Sequence, residues 1–383
     1  MVDSSPMRLL FRARGALLAG CSLSLAAALA GCGPDADSQA RPGGDAGTAR
    51  IAGKTTARPP DSVPEVQPWV PKPISARPVV APGPVGATAD SGGPPAPVNS
   101  APVGKRRYSL TPADSARWPV KGPAPLPGAL LPDTRIVAFY GNPKSNRMGI
   151  LGQLPPAEML AKLERIATEW AQADTSRRVM PALHLIATVA QGKPGPGGKY
   201  RLRHSDQTIE QVLGWAEERG WIVFLDVQIG HSTVADELPH LVKYLERPYV
   251  HLALDPEFAM KLGGVPGRRI GTLDAADVND AVQLLAGIVE RKKLPPKVLV
   301  VHRFTQRMLT NHAGIRLDPR VQVVVDMDGF GPPNFKEDAY KYFIVPEPVQ
   351  YTGFKLFFKN DKPMMTPAQV LALYPQPLYI QYQ

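Results

Sequence analysis

The chain has 383 residues, a formal net charge of +10, 43 prolines, 34 glycines and only two cysteines. Twenty of the prolines lie between Gly33 and Leu130, so the apolar residues that build a core are expected beyond that stretch. The cysteines, Cys21 and Cys32, sit near the N-terminus. Their position excludes a disulfide scaffold, Cys-ligated zinc, an iron–sulfur cluster and a catalytic thiol in the folded part. Positive charge is spread along the chain without a basic run interleaved with aromatics, which excludes a nucleic-acid partner.

Arg8, Arg12 and Arg14 precede an uncharged, largely apolar stretch from Gly15 to Gly31, the make-up of a secretory signal. The stretch ends in Leu29-Ala30-Gly31-Cys32, which resembles the lipobox of bacterial lipoproteins. A second copy, Leu18-Ala19-Gly20-Cys21, follows Arg14 too closely to leave room for an apolar region. Residues 1–32 are therefore read as a lipoprotein signal. The resemblance implies that Cys32 is lipidated (a palmitate-type anchor) and holds the protein on the extracytoplasmic side of the cell membrane. Residues 33–130, rich in Pro, Gly, Ala and Ser, cannot bury enough apolar surface to offset their ordering entropy and read as a disordered spacer. An ordered lead-in is expected from about Tyr108.

From residue 131 to 383, short apolar runs alternate with helical patterns. The predicted strands are Arg135–Tyr140, Ala182–Ala190, Trp221–Ile229, Tyr249–Leu254, Lys297–His302, Val321–Asp326, Thr352–Phe358 and Leu378–Tyr382. Most are nearly continuous Val, Ile, Leu and Phe, as strands covered on both faces should be. Helices are predicted over Pro155–Ala173, Thr208–Arg219, Asp236–Leu245, Asp274–Lys292 and Thr366–Tyr374. Asp236, Asp274 and Thr366 are the expected N-caps, with Pro367 at the first helical position. The connectors after Val301 and Asp328 leave room for short helices only. Eight such units in about 250 residues match a (β/α)8 TIM barrel. An open doubly wound sheet is the alternative, but Gly141-Asn142-Pro143-Lys144 after the first strand fits no nucleotide-binding loop. The sequence stops on the eighth strand, so the final outer helix is expected to be lacking, with the lead-in covering its place.

In barrels of this kind the active site forms at the C-terminal strand ends. Those ends carry Tyr140 on strand one, Thr188 and Gln191 on two, and Asp226, Gln228 and His231 on three. Asp255 and Glu257 follow on four, His302 and Arg303 on five, Asp326 and Asp328 on six, Lys355 on seven and Gln381 on eight. Charges that end buried strands must be solvated or paired, because burying one alone costs several kcal/mol. His184, His240 and His251 lie inside strand or helix patterns and read as structural. Tyr140, Phe304, Phe330 and Phe358 are placed to stack on sugar faces.

Asp255-Pro256-Glu257, ending the fourth strand, resembles the Asp-x-Glu motif of chitinase-type and bacterial muramidase-type barrels. The resemblance implies that Glu257 is a general acid and that Asp255 assists it, with Asp326 or Asp328 as the third acid. Tyr140, Asp226, Gln228, His302, Lys355 and Gln381 would then bind substrate. The acid run that chitinases carry ahead of the motif reads here as His251-Leu252-Ala253-Leu254, and no Trp lies on strand eight. The domain as a whole is similar to uncharacterised secreted lipoproteins of actinobacterial type. That likeness is carried by Phe139-Tyr140-Gly141, Leu225-Asp226-Val227-Gln228, Ala253 to Glu257, His302-Arg303-Phe304 and Asp328-Gly329-Phe330-Gly331. It implies location and fold rather than chemistry.

The expected partners are thus a membrane, through Cys32, and a carbohydrate or cell-wall ligand bound and hydrolysed at the barrel mouth. Two other readings stand beside this one. The first is a glycan-binding lipoprotein without catalysis. The second is a metal-dependent phosphodiesterase using Asp226, Asp255, Glu257, His302 and Asp328. Against the second, the chain has no His-x-His or His-Glu-x-x-His spacing and places His302-Arg303 on strand five. No motif calls for a cofactor or a metal, and none is expected.

Overall fold

The computed structural model describes residues 69–75 and 111–383. The expected lipoprotein signal, Cys32 and most of the expected spacer lie outside the described residues. Eight parallel strands close into a barrel: β1 (Thr134–Gly141), β2 (Arg178–Ala190), β3 (Ile222–Val227) and β4 (Val250–Leu254), then β5 (Lys297–Arg303), β6 (Val321–Met327), β7 (Tyr351–Leu356) and β8 (Tyr379–Tyr382). Neighbours in sequence are neighbours in the sheet, and the Ile136–Tyr379 and Thr134–Arg178 registers close β1 onto β8 and β2. The protein is a (β/α)8 barrel, and all eight predicted strands fall on barrel strands.

Between them lie α1 (Pro156–Ala173), α2 (Asp206–Glu217), α3 (Ala275–Lys292), α4 (Pro333–Phe343) and α5 (Pro367–Leu371). α1 buries Met159, Leu160, Leu163, Ala167, Trp170 and Ala171, a spacing of three and four that forms one apolar stripe against the sheet. α3 starts in a capping box, Asp274 taking the Ala276 amide and Asp277 returning to the Asp274 amide, and ends at Lys293 in the left-handed region. Thr366 and Gln369 make the same box at α5, with Pro367 at N1.

Three expectations are revised. The β3–β4 helix is broken into Val234–Glu237, a tight Leu238–Leu241 turn and Val242–Leu245, because Pro239 interrupts it; Thr233 rather than Asp236 is its cap. The connector after Asp328 holds the 11-residue α4, which buries only Lys336 and Tyr340. The segment is polar overall, so its one-sided pattern does not read as an apolar stripe. Among the described residues, the lead-in reaches the start of β8, where it shares a groove with Leu378, but not the outer face of the rest of the strand. There α1 leans across, the Trp170 indole donating to the Tyr382 hydroxyl at 2.9 Å and Lys162 standing 3.8 Å over the Phe358 ring.

The lead-in instead lies against the N-terminal end of the barrel. Trp118 donates to the Val345 carbonyl at 3.0 Å. Gln322 accepts from the Leu130 and Leu131 amides at 3.0 and 3.1 Å. Residues 69–75, inside the stretch read as spacer, also pack on this end. Ile74 exchanges backbone hydrogen bonds with Val179, and Trp69 meets the Tyr249 ring at 5.3 Å.

Candidate active site at the barrel mouth

Side chains alternate in and out along a strand, so each barrel strand sends every second residue to the interior. Here the last inward positions are polar and form two layers. The deeper layer is His184 on β2, Asp226 on β3, His302 on β5, Asp326 on β6, and Tyr379 and Gln381 on β8. All six are fully buried. The upper layer is Tyr140, Gln228, Asp255, Asp328 and Lys355, with half-buried Glu257 above it. Registers bring them together: His302 lies opposite Asp326, and Lys355 opposite Gln381.

A cavity of about 710 Å³ opens over the upper layer, within the range of ligand sites. Tyr140, Gln228, Asp255, Glu257, Asp328 and Lys355 line it, with Arg147, Met148, Ile186, Phe258, Phe304, Phe330 and Phe357. Arg147 and Met148 reach it because residues 142–149 fold back on β1. At that point Gly149 (φ 81°) presses so close to the Tyr140 carbonyl that a Cβ would lie 2.2 Å from its oxygen.

The sequence motif at β4 has a local structural role and a place in the cavity. Asp255 caps the turn Pro256–Phe258, its Oδ1 accepting from the Glu257 amide at 3.1 Å. Its Oδ2 accepts from Gln228 Nε2 at 3.1 Å, and Gln228 accepts in turn from the Ala190 amide at 3.0 Å. Asp255 is thus fully committed to orientation, and Glu257 is left facing the cavity. Across from it, Lys355 pairs with Asp328 at 2.9 Å and lies 3.9 Å over the Tyr140 ring.

Burial, then the Asp328 carboxylate, pushes Glu257 up to about 7. Asp255 is held well above the usual carboxylate range, first by burial and then by Asp226. Below, burial would keep His302 neutral, yet Asp326, Asp328 and Asp226 together raise it to about 9. Burial brings His184 down to about 4.

Of the residues expected to be catalytic, Glu257, Asp255 and Asp328 line the cavity. Asp326 does not, since it points inward one layer lower. Tyr140, Gln228 and Lys355 line the cavity as well, whereas Asp226, His302 and Gln381 lie beneath its floor, where a ligand in the cavity meets no exposed atom of theirs. His231 lies outside it, stacked on Tyr200 at 4.5 Å. Phe358 points away, stacked on Tyr382 at 5.3 Å.

The sequence reading passed over His184, taken as structural, and Tyr379. The His184 ring nitrogen Nδ1 sits 2.6 Å from the Tyr379 hydroxyl and 3.0 Å from Gln381 Nε2. Strand parity was the available signal, for His184 and Ile186 share the inward face of β2. Three deep residues converge: Nε2 of His184 and Nε2 of His302 each lie 3.8 Å from Oδ2 of Asp226. Two imidazoles and a carboxylate of this kind form a donor set suited to a divalent transition metal.

No known protein family matches the chain, and no curated protein matches it either.

Proposed function

We propose that the barrel mouth binds and hydrolyses a polysaccharide, with Glu257 as the general acid, on a lipoprotein tethered to the cell envelope through Cys32. The observation that carries this reading is Glu257, a carboxyl held near 7 that faces a cavity lined by a second, Lys355-paired carboxylate, Asp328. Glycoside hydrolysis needs one carboxyl that keeps its proton and another that stays charged. Glu257 delivers its proton to the glycosidic oxygen as the bond to the anomeric carbon breaks. Water supplies the new C–O bond at that carbon, and the proton that this water releases restores the Glu257 acid. Asp328 faces the positive charge that develops on the ring. Asp255 and Gln228 hold the Glu257 turn in position. Phe304, Phe330 and Phe357 offer apolar faces to sugar rings, and Arg147 and Lys355 offer donors to hydroxyls or acidic substituents. The leader, Cys32 and the proline-rich spacer supply the tether.

The test is turnover of peptidoglycan, chitooligosaccharides and neutral glycans by the purified chain, with and without EDTA. Cleavage that survives EDTA and disappears in Glu257→Gln, with affinity retained, is the expected result. Saturable binding without turnover would make the mouth a recognition site. Activity that requires a metal at the cavity acids would favour phosphodiester chemistry.

A further inference from the structure

We propose that His184, Asp226 and His302 form a site for one divalent transition-metal ion, of the Zn²⁺ class, in the barrel interior beneath the cavity floor. The three side chains are fully buried, and their ligand atoms lie within 4.8 Å of one another. Two metal–ligand bonds of about 2.1 Å span at most ~4.2 Å, so the two 3.8 Å separations already admit a shared ion. The two imidazole nitrogens must come within that same span from a separation within 4.8 Å.

What points to a ligand is the state of the donor atoms. Both carboxylate oxygens of Asp226, and the Nε2 atoms of His184 and His302, are buried without a hydrogen-bond partner. The two facing imidazoles stop 3.8 Å away, so this carboxylate has charge partners but lacks the hydrogen bonds that burial demands. The opposite nitrogens face polar groups, hydrogen-bonded at His184 and without a hydrogen bond at His302. Nδ1 of His302 faces Asp326 and Asp328, each at 3.3 Å, and Nδ1 of His184 faces Tyr379 and Gln381. Metal-ligating histidines are held in this way, with a carboxylate or other acceptor behind the ring fixing its tautomer and direction. Gln381 Oε1 is also unpartnered, and a flipped amide would accept from His184 Nδ1–H. Charge points the same way: Asp226, Asp326 and Asp328 crowd a space served by His302 and Lys355.

None of the three ligands lines the cavity, and the Tyr140 ring covers His184 and His302 with centroids 5.2 and 5.9 Å away. The ion would therefore brace the floor and neutralise the deep carboxylates without touching ligand in the mouth. Short sequence motifs do not betray the site, because its three ligands come from three strands.

The full chain, stripped with EDTA and dialysed, is titrated with Co²⁺ and with Zn²⁺. Uptake of one equivalent, with visible ligand-field bands for Co²⁺ and a higher Tm, is expected. An anomalous-scattering peak should then lie between His184, Asp226 and His302. Asp226→Asn, nearly the same shape, and His302→Gln should each weaken binding at least tenfold, while Glu257→Gln binds as wild type. Absence of stoichiometric uptake by the folded wild type, or a peak elsewhere, overturns the proposal. So does Asp226→Asn binding as wild type. The readouts need no glycan, so they succeed or fail separately from the hydrolase reading.

Discussion

Gly353 and Asp326 occupy one space. They are register partners on β7 and β6, and a Cβ at position 353 would lie 2.5 Å from Asp326 Oδ1 and 3.0 Å from the Tyr379 ring. The absent side chain is what lets a carboxylate and an aromatic ring share the barrel interior at that level. Gly353→Ala should therefore cost about 1–3 kcal/mol through overpacking. Chemical denaturation with an unchanged m-value would report it, and a loss below about 0.5 kcal/mol would show that the layer yields.

The Glu257 carboxyl gives stability a sign with pH. Its folded-state value of about 7 lies above the unfolded value near 4.3, so the folded chain holds this proton more tightly. Its contribution is fully present below about pH 4 and is lost as pH rises through 7. Glu257→Gln should match the wild-type Tm at pH 4 and exceed it at pH 8. Thermal melts across that range check this, and a pH-independent difference would contradict it. Hydrolysis by this acid should fall on the alkaline side of about pH 7 for the same reason.

Lys355 and Asp328 form a nearly buried pair at the cavity wall. Lys355→Met removes the cation and leaves Asp328 beside Asp326 and Glu257, which should cost about 3 kcal/mol. It should also raise the Glu257 value further, because the Lys355 charge favours its ionised form. Denaturation and a carboxyl titration by NMR read the two effects separately.

The sequence by itself determined the architecture. Continuous apolar runs such as Val321–Val325 and Lys297–Val301 need cover on both faces, and alternating them with amphipathic stretches leaves a parallel sheet. The count of eight units, with no nucleotide-binding loop after the first strand, favoured the closed barrel over an open doubly wound sheet. It also brought Asp255, Glu257 and Asp328 to the rim, because residues just past a strand's end lie there wherever the strand sits.

Only the tertiary structure decided depth. Asp226, Asp326, His302 and Gln381 are inward-facing residues within strands, and strand tilt and stagger place them below the floor. The same staggering brings Nε2 of His184 and of His302, 118 positions apart in the chain, to equal distances from one oxygen of Asp226. Local sequence carries the inward parity of a strand but not the height at which neighbouring strands meet. That height is set by barrel closure, and it divides the residues facing the cavity from those that bind one another.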